Sequence, residues 1–70
     1  MTRYEKEKAY VARRAEELTA EMEAALEAGD RVRFREAYSK SLRYMRQRDR
    51  GPLYIRFMQM LSNERRAEHV

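Results

Sequence analysis

MEAALEAGDRVRFREAY, Met22 to Tyr38, holds the reading that decides the fold. Two runs of helix-forming residues meet at Gly29 and Asp30. Glycine tolerates the left-handed backbone that ends a helix, and aspartate can cap the next helix while setting its charge at a positive helix N-terminus. A connection this short joins antiparallel neighbours, so the chain is expected to fold back on itself. The apolar positions agree with that geometry. Counted outward from the turn, Leu26 meets Phe34, Met22 meets Tyr38, Leu18 meets Leu42 and Ala15 meets Met45. The same register sets Glu27 near Arg33 and Glu17 near Arg43. Exposed ion pairs contribute only about 0 to 1 kcal/mol each, so these would choose orientation more than add stability.

Toward the N-terminus, Tyr4, Val11, Leu18 and Ala25 recur every seven residues, with Ala15 and Met22 between them and Lys8 interrupting the seam. Thr2 is placed to cap a first helix over about 3–28. Toward the C-terminus, Phe34, Ala37, Tyr38, Ser41, Leu42 and Met45 share one face, which predicts a second helix over about 31–48. Gly51 is expected to end it. Pro52 suits the first turn of a third helix over about 52–66, because the missing N–H has no intrahelical acceptor there. In that helix the apolar side chains spread over about 220°, wider than the roughly 100° stripe one packing surface needs. Phe57 would close on Met45 and Met60 on Leu42. Tyr54, Ile55 and Met58 would stay uncovered, unless the third helix were wedged at the centre of the bundle. The expectation is therefore an all-α fold: an antiparallel helical hairpin plus a third helix, in one small domain that dimerises.

ALEAGDRVRFREAYSKSL, Ala25 to Leu42, resembles the helix, Gly-Asp turn, helix hairpins of tetratricopeptide-type repeats. It occurs once, and it implies the hairpin.

Seventy residues seldom enclose a core supplying more than about 3 to 5 kcal/mol. There is no cysteine for a disulfide or thiolate metal site, and the lone histidine is His69, so oligomerisation is the expected further source of stability. The absence of cysteine and of an N-terminal apolar segment leads us to expect a soluble, cytoplasmic protein. The most apolar run, Leu53 to Leu61, is about half the length that crosses a bilayer. Charge is divided unevenly. Residues 1–30 hold five basic and eight acidic side chains, and residues 31–70 hold eleven basic and four acidic. Thirteen of the sixteen basic residues are arginine, whose fork suits phosphate and carboxylate alike.

No catalytic constellation, metal site or cofactor motif is visible, and no small-molecule substrate is implied. Glu16, Glu17, Glu21 and Glu23 lack the Glu-x-x-His spacing of helical carboxylate metal sites and read as a solvated face. The expectation is a non-enzymatic helical interaction module, a regulator or adaptor that self-associates through Tyr54, Ile55 and Met58 and binds a protein partner. An alternative is a basic protein that binds the DNA or RNA backbone with weak sequence selectivity. Its phosphate contacts would be Arg35, Lys40, Arg43, Arg46 and Arg50, on the outer side of the second helix. Reading of base edges by the third helix fits poorly, because LYIRFMQML lacks the required array of Arg, Asn and Gln.

Overall fold

The fold is that of a computed structural model that describes residues 2–68, leaving His69 outside the described range. Three helices follow in order: α1, Arg3–Ala28; α2, Arg31–Ser41; and α3, Gln47–Glu68. No strand occurs among the described residues.

Helix α1 begins with a reciprocal cap. The Glu5 N–H donates to the Thr2 hydroxyl at 3.2 Å, and the Thr2 N–H donates to the Glu5 carboxylate at 3.3 Å, which satisfies two donors that a helix start leaves free. At the other end Gly29 adopts φ 67°, the left-handed region. The Asp30 N–H then reaches the Ala25 carbonyl at 2.9 Å and the Gly29 N–H reaches that of Leu26 at 3.3 Å, the double closure of a Schellman turn. Asp30 starts α2 by accepting from the Arg33 N–H at 3.0 Å. The hairpin expected from Gly29 and Asp30 is present, with both residues in the roles their chemistry favours.

The second helix is shorter than its apolar periodicity indicates. Ser41 is fully buried, and its hydroxyl donates to the Tyr38 carbonyl at 2.6 Å, a competing bond of the kind that loosens a helix end. The Tyr44 and Met45 N–H groups then both return to the Ser41 carbonyl, at 3.0 and 2.8 Å. This turn brings Tyr44 and Met45 against the core, with the Met45 sulfur 3.6 Å from the Thr19 hydroxyl. Helix α3 starts at Gln47, with the Arg46 carbonyl accepting from the Asp49 and Arg50 N–H groups. The expected bounds of 31–48 and 52–66 are thus corrected. Gly51 does not end a helix: it lies inside α3 at an ordinary negative φ, and Pro52 follows it there rather than occupying the first turn. Proline at that depth removes one ladder donor, at the solvent-facing start of the helix.

Leu18, Met22, Ala25, Phe34, Ala37, Leu53 and Phe57 form the core, with Leu26, Tyr38, Tyr44, Met45, Met60 and Leu61 packed around it. Helices α2 and α3 run antiparallel. Arg31 binds Glu64 at one end, Phe34 stacks on Phe57 in the middle, and Tyr38 meets Tyr54 beyond. Phe57 packs on Phe34, where Met45 was expected.

Leu42 corrects the expected register, being 55% exposed rather than packed on Leu18. Leu18 lies beside Ala37, one cleft running past both. The ion pairs also differ. Arg33 donates to Glu21, at 2.5 and 3.1 Å, instead of Glu27. Glu27 is nine residues from buried Leu18, about half a turn around the helix, and so lies away from α2, in a cleft beside Arg56 and Asn63 of α3, whereas Glu21 flanks the α2 side. Hydrogen bonds from Arg33 hold the Glu21 carboxyl below the usual carboxylate range, against the opposing effect of partial burial. Glu17 accepts from Arg14 of its own helix at 2.6 Å and not from Arg43.

Because α2 has 11 residues against 26 in α1, the first two turns of α1, before Tyr10, project without a neighbour among the described residues. Every residue from Thr2 to Arg13 is exposed, including Tyr4 and Val11 of the expected seam. The molecule is accordingly long, 58 × 19 × 14 Å.

Two glycine substitutions separate the helix ends. Gly51→Ala adds a methyl group in open space at a helical backbone position and should stabilise the fold by up to about 1 kcal/mol. Gly29→Ala forces alanine into the left-handed region and should cost about 1 to 2 kcal/mol. Urea denaturation measures both, and destabilisation by Gly51→Ala would contradict a helix running through residue 51.

Two leucines test the register in the same assay. Leu18→Ala should cost about 2 to 5 kcal/mol as a buried large-to-small change. Leu42→Ala, at concentrations low enough to exclude self-association, should stay within about 0.5 kcal/mol. Equal losses at the two positions would restore the longer α2.

Candidate functional site

Two surface clefts gather side chains of one character, one apolar and one basic. Both follow from the end of α2 at Ser41.

The apolar surface lies between α2 and α3. Its floor is the Phe34 and Phe57 stack, with ring centroids 4.3 Å apart and planes inclined by 11°. Tyr38 and Tyr54 extend the aromatic row, 5.2 Å apart. With no further turn of α2 to cover it, the row lies open as a groove of about 480 Å³, and Leu42, Tyr54, Met58 and Leu61 line its sides with Arg35 and Ser39 at the rim. Of the three side chains expected at a self-association face, Tyr54 and Met58 line this groove, 43% and 48% exposed. Ile55 is 60% exposed outside the lining. Leu42 belongs to the groove and was not foreseen, because its place in the helical periodicity assigned it to the core.

The five basic side chains expected on one face of α2 are dispersed. Arg35 and Arg50 turn back onto aromatic rings, with their guanidinium carbons 5.8 Å from the Phe57 centroid and 5.9 Å from that of Tyr38. Such contacts are worth about 0.5 to 1 kcal/mol at exposed sites. Arg50 is half-buried, and its Nε has no hydrogen-bond partner among the described residues. Arg46 lines a different cleft, beside Glu16, Glu23 and Asp49. Only Lys40 and Arg43 stay together. The physical cause is the same for all: a face continuous over 35, 40, 43, 46 and 50 requires one helix, and the chain turns after Ser41.

Lys40 and Arg43 gain a cation that lies far away in sequence. With Arg14, Ser39 and Tyr44 they line a cleft of about 300 Å³ where the end of α2 meets α1. The Arg14 guanidinium sits 5.5 Å from the Tyr44 ring centroid, and Tyr10 meets that ring edge-on with centroids 6.1 Å apart. Hydrogen bonding with Tyr10 holds the Tyr44 phenol below its ordinary pKa, helped by Arg14 and Arg43 and opposed by partial burial. The Tyr10 phenol is correspondingly raised, first by its hydrogen bond and charge interaction with Tyr44. A heptad reading of α1 cannot find this cluster. The signal present in the sequence is that Arg14 and Tyr10 lie one helical turn apart, which places them on a common flank.

Among the described residues no three His, Cys, Asp or Glu side chains gather as a metal-binding group, and no helix is long and apolar enough to cross a membrane. Comparison with protein-family models, curated proteins and solved structures finds no match to this chain.

The tyrosine pair gives the basic cleft a measurable signature. In an ultraviolet pH titration Tyr44 should ionise below, and Tyr10 above, the ordinary tyrosine pKa of about 10. Tyr10→Phe removes the phenol that Tyr44 bonds to and should move the Tyr44 transition upward. An unchanged transition in that variant would mean that the two hydroxyls do not interact.

Proposed function

We propose that this chain is a non-enzymatic helical interaction module, a small cytoplasmic regulator or adaptor that works as a homodimer closed through α3. The observation that carries the reading is the open groove between α2 and α3, where Tyr54 and Met58 stay 43% and 48% exposed above a buried Phe34 and Phe57 floor.

Surface area supports a second copy as the occupant. A compact monomer of 8.5 kDa exposes about 4,650 Å² by the usual size scaling. This chain exposes 5752 Å². The excess of about 1,100 Å², part of it on the projecting half of α1, compares with the roughly 800 Å² that each partner buries in a standard interface. The radius of gyration, 14.7 Å, likewise exceeds the about 11 Å of a compact 70-residue chain. A two-fold contact suits α3, since each copy offers Tyr54, Ile55 and Met58 to the same residues of the other. Burying them adds apolar area to a core of only seven buried hydrophobic side chains. The cysteine-free composition fits a reducing compartment. As a dimer the module leaves both projecting α1 segments free to engage a further macromolecule.

Sedimentation equilibrium tests this reading. The wild-type chain should return about twice its 8.5 kDa mass, and the double variant Ile55→Glu, Met58→Glu should return the chain mass while remaining helical by circular dichroism. A wild-type monomer at tens of micromolar, with a melting temperature independent of concentration, would overturn it.

A further inference from the structure

We infer that the cleft between α1 and the end of α2 binds single-stranded nucleic acid, with Arg14, Lys40 and Arg43 holding phosphodiester oxygens and Tyr10 offering a ring on which a base stacks. This surface differs from the outer face of α2, and it does not depend on the α3 groove.

The cleft has the composition that an anion requires. Three cations, a hydroxyl from Ser39 and the Tyr44 phenol line it, and no carboxylate does. Lys40 and Arg43 are exposed and form no ion pair among the described residues. Arg14 gives Nη1 to Glu17 at 2.6 Å, which fixes the plane of the guanidinium over Tyr44 and leaves donors for a ligand. Elsewhere on the α1 and α2 seam Arg33 pairs with Glu21, and the adjoining cleft, which Arg14 and Lys40 also line, holds Glu17, Glu21 and Glu36. Arg43 is the cation at this cleft that, among the described residues, neither an ion pair nor the acidic neighbouring cleft engages.

The projecting half of α1 extends the site. Arg3, Lys6 and Arg13 stand seven and four residues before Tyr10 and three after it, so the helix repeat puts them on Tyr10's side, together with Glu7 and Glu17, which pair with Arg3 and Arg14. Arg3 is held only by an exposed pair with Glu7 at 3.4 Å. From Arg3 to Arg14 the stripe is about 16 Å long, enough for a few nucleotides. Exposed aromatic rings alternating with cations are the features that bind single strands with little regard to sequence. Tyr10 is 51% exposed and touches Tyr44 edge-on, so a ring face remains available. In a duplex the base faces are stacked and closed to such a ring. The arrangement therefore favours a single strand.

Fluorescence anisotropy with labelled 12-nucleotide oligo-dT and oligo-U, on the full chain at several salt concentrations, tests the inference. Both should bind. Lys40→Gln with Arg43→Gln should weaken binding at least about fivefold and flatten the slope of log K against log salt by about 1.4, since a single strand loses about 0.7 per phosphate contact. Tyr10→Ala should weaken binding with the salt slope unchanged. A charge-matched control, Arg65→Gln with Arg66→Gln at the far end of α3, should stay within about twofold of wild type. The altered side chains are exposed, and circular dichroism melts of each variant should match wild type; Lys40→Ala alone replaces the double variant if that one melts early, with about half its slope change expected. The inference is overturned if the wild type does not bind at low salt, if the Arg65 and Arg66 control loses as much as the cleft variant, or if duplex DNA of the same length binds as tightly as the single strands.

Discussion

The buried hydroxyl of Ser41, turned back onto the Tyr38 carbonyl, is the interaction on which the architecture depends. It sits in the last turn of α2, which ends after 11 residues, and the turn that follows carries Tyr44 and Met45 onto α1 instead of continuing outward. Three consequences follow from that stop. The first two turns of α1, before Tyr10, are left without a neighbour. The row from Phe34 to Tyr54 loses the turn of helix that would have roofed it. Lys40 and Arg43 are delivered beside Arg14. A longer α2 would pair Val11 and Tyr4, bury Leu42 and spread the arginines along one solvated face, so neither candidate surface would exist.

The stacking of Phe34 on Phe57 holds the third helix in this arrangement. Aromatic rings bury large areas, and this pair ties the middle of α2 to the middle of α3 while the Arg31 and Glu64 pair fixes the end. Since Leu53 and Phe57 take the buried side of α3, with Met60 and Leu61 packed beside them, Tyr54, Ile55 and Met58 face outward. On the proposed reading, the width of the α3 apolar arc reflects two faces with different tasks, one closing the core and one meeting a second copy.

The hairpin was legible in the sequence because its signals are local. Thr2, Gly29 and Asp30 act through hydrogen bonds to residues three to five positions away, and a sequence displays those distances directly. The end of α2 was not legible. Leu42 and Met45 continue the helical periodicity, and Gly51 with Pro52 reads as the stronger stop signal. Only the tertiary position of Ser41 decides otherwise. A glycine ends a helix where its backbone turns left-handed, as Gly29 does at φ 67°, and Gly51 does not. The exposure of Tyr54, Ile55 and Met58 was legible from the angular width of the α3 pattern. The basic cleft was not, because Arg14 is separated from Lys40 and Arg43 by more than twenty residues and joins them only after the chain folds back.

The central claim is that the early end of α2 exposes an apolar face of α3 that a second copy covers. An isotope-filtered nuclear Overhauser experiment on an equimolar mixture of labelled and unlabelled chains tests it most directly, since it separates contacts between copies from contacts within one. The account predicts intermolecular effects among the Tyr54 ring, the Ile55 methyls and the Met58 methyl, and an intramolecular effect between the Phe34 and Phe57 rings. Intermolecular effects confined to α1, or Leu42 methyls in intramolecular contact with Leu18, would contradict it.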